Sequence, residues 1–126
     1  RVKNEGEKMP NTFHSVIPEL AVPDVIATLN WYRDVLGYSI EGQTEDYFGS
    51  VLRGRVNFYI RKSDASFPAS YSVFVDEVDE LCQSFQDRGA TIVEQPEDKP
   101  WGYRQFTLED LNGYRFHYFR FSDGVE

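Results

Sequence analysis

Only three side chains of the 126-residue sequence are histidine or cysteine: His14, His117 and Cys82. Nucleophilic catalysis requires a base beside the nucleophile, and a divalent metal requires three or four N, O or S donors that converge on one point. Cys82 has no histidine near it in the sequence, and we interpret it as a small buried thiol. The sequence also lacks Gly-x-Ser-x-Gly, a phosphate-binding glycine loop and CxxC. It therefore predicts no catalytic residue, no metal site and no cofactor.

Aromatic side chains, by contrast, are abundant: ten Phe, eight Tyr and two Trp make up 16% of the chain. So small a core cannot bury this many rings and also pair every Tyr and Trp polar group. We therefore expect rings to line a binding groove, with Trp101, on a loop between Pro100 and Gly102, as the leading candidate. The predicted ligand-binding residues are Trp101, Gly102, Tyr103, Tyr38, Asp46, Tyr47, Phe48, Phe58 and His117.

Some of these residues have a second interpretation. Phe48 and Phe58 are equally suited to the core, and His117 could be a hydrogen-bonded imidazole with no role in chemistry. Asp46 forms an acidic cluster with Glu41 and Glu45. That cluster either attracts a cationic ligand or is a solvated turn.

Charge and composition limit the partners. The net charge is -8 and the isoelectric point is about 4.7, which disfavours nucleic acid and anionic membranes and favours cationic ligands. No apolar run approaches the ~20 residues of a membrane span, and the N-terminal residues lack the apolar stretch of a signal peptide. A single cysteine fits a reducing compartment. We predict a cytoplasmic protein that binds neither nucleic acid nor membrane.

The first half of the chain shows one helix among strands. Asp24 is a good N-cap, and Val25, Leu29, Tyr32 and Leu36 follow at helical spacing, before a stop at Gly37. The same order recurs at an offset of 52, where Asp76 is a second cap, Val78, Leu81 and Phe85 form the stripe, and Gly89 is the stop. The predicted strands are 16–22, 38–41, 47–52 and 55–61 in the first half, and 71–75, 90–93, 103–108 and 114–121 in the second.

This order predicts an α+β fold of paired βαβββ modules, at about residues 13–62 and 70–121, within a single domain over 13–126. Residues 1–12 are predicted to lie outside the fold, as a disordered or non-native N-terminal segment. One module covers only one face of its sheet, so we expect two modules to cup together, and the concave side is the natural ligand site.

Three segments carry a family resemblance: "Leu-Asn-Trp-Tyr-Arg-Asp-Val-Leu-Gly-Tyr" at 29–38, "Val-Asp-Glu-Val-Asp-Glu-Leu" at 75–81, and the stretch from Gln95 through Pro-Trp-Gly to Asp-Leu-Asn-Gly at 110–113. Together with the module order they resemble the glyoxalase/bleomycin resistance/dioxygenase (vicinal oxygen chelate) superfamily, and the bleomycin-resistance proteins in particular. Leu111 replaces the proline usual in the last turn, which should loosen that turn.

The resemblance implies a fold, a ligand and an assembly. It implies a homodimer with cupped sheets, locked by a proline that corresponds to Pro10 or Pro18, and a non-catalytic protein that sequesters a bleomycin-like antibiotic by stacking on Trp101. The superfamily's enzymes hold a metal on the first and last strand of each half, where this chain offers Ile17, Asn57 or Tyr59, Ser70 and His117. The alternatives are a glyoxalase- or dioxygenase-like enzyme with an atypical metal site at Glu19 and His117, and a binding protein for an unrelated metabolite.

Overall fold

The computed structural model describes residues 11–122, which form ten elements in the order βαβββ–βαβββ. The predicted α+β fold of two βαβββ modules is confirmed. Pro10 and the rest of the predicted N-terminal segment up to residue 10 lie outside the described residues. The elements are β1 (Glu19–Val22), α1 (Val25–Asp34), β2 (Ser39–Thr44), β3 (Phe48–Arg53), β4 (Val56–Lys62), β5 (Ser70–Phe74), α2 (Val78–Asp87), β6 (Thr91–Asp98), β7 (Tyr103–Glu109) and β8 (Arg115–Phe121).

The first module is a four-stranded sheet, sheet A, with strand order β1-β4-β3-β2 and α1 on one face. Asp24 caps α1 as predicted, because its carboxylate accepts a hydrogen bond from the Ala27 N–H at 2.9 Å. The predicted stripe of Val25, Leu29, Tyr32 and Leu36 is buried. Leu29 packs so closely on β3 that only a glycine fits at Gly49.

The second module repeats this arrangement in sheet B, with strand order β5-β8-β7-β6 and α2 on one face. The predicted cap at Asp76 is wrong, because α2 begins at Val78 and its N-cap is Glu77, whose side chain caps no N–H. The helices are therefore 53 positions apart rather than 52, so that Cys82, not Leu81, corresponds to Leu29. Cys82 is a free, buried thiol, and burial raises its pKa.

The helix-covered sides of the two sheets meet in one core. Phe116 of β8 contacts the rings of Tyr32 and Phe58 at centroid distances of 6.3 and 5.2 Å. The β7–β8 turn adds polar links, since Asn112 donates to Thr28 at 3.0 Å and the Tyr114 hydroxyl pairs with the backbone of Ala21. The modules are thus held by both apolar and hydrogen-bonded contacts.

Because α1 and α2 lie on the core side, the opposite face of each sheet carries no helix in the described residues; we call these the open faces. Strand alternation places Phe48, Tyr59 and Arg61 on the open face of sheet A. It places His117 and Phe119 on the open face of sheet B, opposite Ser72 and Phe74 of β5. Among residues 11–122 the two ten-residue helices are both too short to cross a membrane.

Candidate ligand-binding site

The open face of sheet B carries an aromatic cluster formed by Phe74, Tyr103, Phe119 and Phe121. Tyr103 stacks on Phe119 with centroids 4.3 Å apart and planes inclined by 16°. Phe74 contacts Phe119 at 5.3 Å and Phe121 at 5.4 Å, yet is 60% exposed. Large rings left to water on a helix-free sheet face form the kind of surface that a flat apolar molecule would cover.

Trp101 lies in the loop that leads into β7, two residues before Tyr103, and its side chain is 59% exposed. The Lys99 ammonium lies 5.7 Å from its ring centroid and is held there by Glu94 and Glu97, with N–O distances of 3.1 and 3.0 Å. This cation contact restrains the indole, which remains available for stacking. The neighbouring Gly102 adopts a positive φ of 90°, a conformation that disfavours other residues.

His117 is held by Thr107, which faces it on the open face of sheet B. Thr107 Oγ1 and His117 Nδ1 are 2.7 Å apart, whereas Thr107 Oγ1 and Glu94 Oε1 are 3.5 Å apart. Glu94 can only accept, and the direction of the shorter bond between Thr107 and His117 depends on the tautomer of the imidazole. His117 thus has a side-chain hydrogen-bond partner on the open face of sheet B.

Two predicted groove residues lie in the core instead. Phe58 is 2% exposed because β4 turns it toward α1, on the same side as Val51 and Ile60. Tyr38 is 4% exposed and contacts Tyr32 at 5.7 Å on that side. The prediction that these two rings line the concave groove is therefore corrected. Their segments turn them toward α1 and away from the open face of sheet A.

The predicted acidic cluster has a structural use. Asp46 accepts hydrogen bonds from Val25 N–H and Ile26 N–H at 3.0 and 3.2 Å, and so caps α1 from a neighbouring loop. It also pairs with Lys62, and these contacts hold its pKa below the usual range. Asp46 therefore has a structural role at the start of α1, and its predicted ligand-binding role stays a prediction.

The two remaining predicted residues lie near the open face of sheet A. Tyr47 is exposed at the β2–β3 turn, and Phe48 contacts Tyr59 at 5.2 Å. In this single chain they belong to a different sheet from Trp101, Gly102, Tyr103 and His117. The sequence analysis missed Phe74, Phe119 and Phe121; the alternation of His117, Phe119 and Phe121 along β8 was the signal that could have found the last two.

Within residues 11–122 no group of three or more His, Cys, Asp or Glu side chains is arranged to hold a metal ion. Glu19, the alternative ligand, pairs with Arg61 at 2.9 Å on sheet A, while His117 bonds to Thr107 on sheet B. The site as described consists of stacking surfaces and one oriented imidazole.

Two βαβββ modules, each with one helix-free sheet face, define a class of small α+β domains. The sequence model of the "Glyoxalase/Bleomycin resistance protein/Dioxygenase superfamily" matches residues 12–118. The chain belongs to this superfamily.

Solved structures share the fold at low identity. TioX from Micromonospora sp. ML1 superposes with a TM-score of 0.76 at 24% identity, covering 86% of this chain and 99% of TioX. The bleomycin-binding protein of bleomycin-producing Streptomyces verticillus, solved with copper(II)-bleomycin, gives 0.71 at 23% identity, covering 86% and 97%. A superfamily member from Nocardioides gives 0.74 at 18% identity, covering 92% and 89%. No curated protein sequence matches the chain.

Proposed function

We propose that the chain is a non-catalytic, cytoplasmic binding protein that sequesters a cationic, aromatic small molecule of the bleomycin type and so confers antibiotic resistance. The observation that carries this proposal is the exposed aromatic cluster of sheet B, beside the exposed indole of Trp101. Stacking one planar ring on an aromatic side chain contributes about 1–3 kcal/mol, by analogy with nucleic-acid platforms. Several rings acting together provide useful affinity without any chemical step.

Charge supports a cationic ligand. The chain carries a net charge of -8, with 21 acidic against 13 basic side chains. A negative field of this kind raises the local concentration of a cation and accelerates its association. The attraction should weaken as added salt screens it.

We further propose that the working form is a homodimer in which the open face of sheet A of one chain faces the open face of sheet B of its partner. A single chain leaves Phe74 and Phe121 of sheet B, and Tyr47 near sheet A, in contact with water. Pairing two chains in this way would bring Tyr47 and Phe48 to the same groove as Trp101. Each dimer would then hold two equivalent grooves.

The test is a calorimetric titration of the purified protein with metal-free and with copper-loaded bleomycin, at two salt concentrations. We expect saturable binding at one drug per chain, weaker at high salt, with the drug recovered unchanged. Trp101→Ala and Phe74→Ala should each weaken binding about tenfold, since each removes one stacking surface. Ile26→Ala, an exposed change on α1, is the matched control that should leave binding intact.

The other outcomes are equally informative. No heat at high drug concentration would overturn the antibiotic assignment. Turnover of the drug to a product would replace sequestration with an enzymatic function. Equal affinities for Trp101→Ala and Ile26→Ala would show that the binding surface is not the one proposed.

A further inference from the structure

A cavity lies on the helix-covered side of the sheets, between the two modules. We call it the intermodule cavity. Its volume is about 690 Å³, within the usual range of ligand pockets. The β3–β4 hairpin of the first module forms one wall, and the end of β5 together with α2 forms the other. Val56, Val73, Leu81 and Phe85 give it a largely apolar lining. Most of its lining lies on the core side of sheet B, where α2 and Phe85 pack, and Phe74 of the aromatic cluster borders it at the end of β5.

Two phenols mark the inner end of this cavity. Tyr118 is 3% exposed, and its hydroxyl is buried without a well-formed hydrogen bond in the described part of the chain. Tyr38, the other phenol in the lining, lies close enough for the Tyr118 hydroxyl to lower its pKa, although burial has the larger effect and raises it to about 12. Both phenols therefore stay protonated at neutral pH and can donate to an acceptor. The Tyr118 hydroxyl can donate to Tyr38, and the Tyr38 hydroxyl can then donate to an acceptor in the cavity.

Opposite charges face each other across the cavity without meeting. Arg55 lies on the hairpin wall, and Asp76 and Glu80 lie on the α2 wall. None of these three forms an ion pair with any residue between 11 and 122. Arg53 cannot fill the gap, because its guanidinium donates to the Leu36 carbonyl at 2.7 Å and lies over Phe85. The space between the walls thus combines an apolar floor with a cationic side and an anionic side.

We propose that the intermodule cavity is a second binding site, and that its ligands are small amphipathic zwitterions such as aromatic dipeptides. The ligand carboxylate pairs with Arg55, and its ammonium pairs with Asp76 and Glu80. Its aromatic side chains pack on the apolar floor, while the Tyr38 hydroxyl donates to a ligand carbonyl and accepts from Tyr118. This arrangement gives Arg55, Asp76, Glu80 and the Tyr38 hydroxyl a polar partner in the cavity.

The probe for this site is the dipeptide Phe-Phe, titrated calorimetrically into the full chain without any antibiotic present, so the result does not depend on the function proposed above. We expect one saturable site per chain. N-acetyl-Phe-Phe, which lacks the ammonium, and Phe-Phe amide, which lacks the carboxylate, should each bind about tenfold more weakly, because each leaves one wall unpaired.

Three variants and one control variant locate the site. Arg55→Gln and Glu80→Gln should each weaken Phe-Phe binding, and Arg33→Gln, an exposed arginine paired with Asp34 on α1, should not. Tyr118→Phe should weaken binding while leaving the free energy of unfolding unchanged or higher, since it removes an unpaired buried hydroxyl. A purely structural tyrosine would show no effect on binding.

Two results would overturn the proposal. The first is absence of binding at dipeptide concentrations of about 10 mM, where even a very weak site would be detected. The second is binding that Arg55→Gln and Glu80→Gln leave at the level of Arg33→Gln. Bleomycin binding could fail while Phe-Phe binding succeeds, or the reverse, so the two sites are judged separately.

Discussion

At the scale of single residues, the buried hydrogen bond between Tyr32 and Asp110 joins the first module to the second. The Tyr32 hydroxyl donates to Asp110 Oδ2 at 2.6 Å, and the other carboxylate oxygen accepts from Asn112 N–H and Tyr114 N–H at 2.8 and 2.9 Å. Burial raises the pKa of Asp110, although these hydrogen bonds oppose the effect. This carboxylate fixes the β7–β8 turn against α1, even though Leu111 stands where the family usually has proline.

Tyr32→Phe tests that link. The change leaves a buried carboxylate oxygen without a partner, and we expect the free energy of unfolding at pH 7 to fall by about 2 kcal/mol. It should also raise the folded-state pKa of Asp110 further. A raised carboxyl pKa removes stability as the pH rises through it, so the difference between variant and parent should narrow toward pH 4, about the ordinary pKa of Asp.

Urea unfolding across this pH range is the measurement, with Tyr59→Phe on sheet A as the control. We expect the control to change stability by less than about 0.5 kcal/mol. Equal losses in the two variants, or a loss in Tyr32→Phe that does not depend on pH, would contradict the role given to Asp110.

The residue scale also shows what the sequence could predict about the site. Trp101 was predictable as an exposed ring because Pro and Gly on either side keep it in a loop. Phe58 was not, because alternation separates Phe58 from Asn57 and Tyr59 but does not say which face the helix covers. Asp46 was not either, since its partners at Val25 and Ile26 are about twenty residues away in sequence.

At the scale of elements, α1 lies against sheet A through a glycine contact. A Cβ built on Gly49 would lie 2.7 and 2.8 Å from the two methyl carbons of Leu29, and 3.2 Å from the Gly42 carbonyl oxygen. These distances leave no room for a methyl group between α1 and β3. The close helix–sheet approach therefore depends on this one glycine.

Gly49→Ala should lower the free energy of unfolding by about 1–3 kcal/mol through overpacking. Gly42→Ala, on the neighbouring strand, is the matched control, because its Cβ would meet nothing within 4 Å. Thermal or urea unfolding of both variants measures the difference. A shortened residue at 29 should relieve the clash, so Leu29→Ala should cost less in the Gly49→Ala background than in the parent. If Leu29→Ala costs the same free energy of unfolding in both backgrounds, the Gly49→Ala side chain does not clash with Leu29.

Element boundaries show where sequence reasoning succeeded and where it failed. Helices, stops and the duplicated order followed from capping residues, apolar spacing and the glycines at 37 and 89, both of which have positive φ. The offset of 52 matched the stops but not the helices, because α1 has one more residue than α2 between its last helical residue and its glycine. Asp76 was predicted as a cap because Asp is a common N-cap and it stands between a strand pattern and the apolar stripe that starts at Val78. The helix bounds place Leu29 and Cys82 at the same position of their helices, and both are 1% exposed.

At the scale of the whole molecule, half of the tyrosines make the fold sensitive to alkali. Burial raises the pKa of Tyr32, Tyr38, Tyr114 and Tyr118, and for Tyr38 the value reaches about 12. These four phenols lie in the core shared by both modules or in its connections to β1. Ionising any of them in place would leave a phenolate in an apolar setting.

The sign of the resulting pH dependence follows from the raised values. A phenol whose folded pKa exceeds its unfolded value of about 10 stabilises the fold fully below that pH, and the contribution declines as the pH rises further. We therefore expect the free energy of unfolding to be little affected by these four phenols between pH 7 and 10 and to fall steeply above pH 10.

The tyrosinate absorbance of these four phenols should appear together with loss of the far-ultraviolet circular dichroism signal, because the phenols ionise on unfolding. Tyr38→Phe should reduce the late absorbance change by one tyrosine while the remaining three still titrate with unfolding. Ionisation of all four before any loss of secondary structure would mean that the core between the modules opens to water in the folded state, and would argue against the closed packing of Tyr32 and Tyr118.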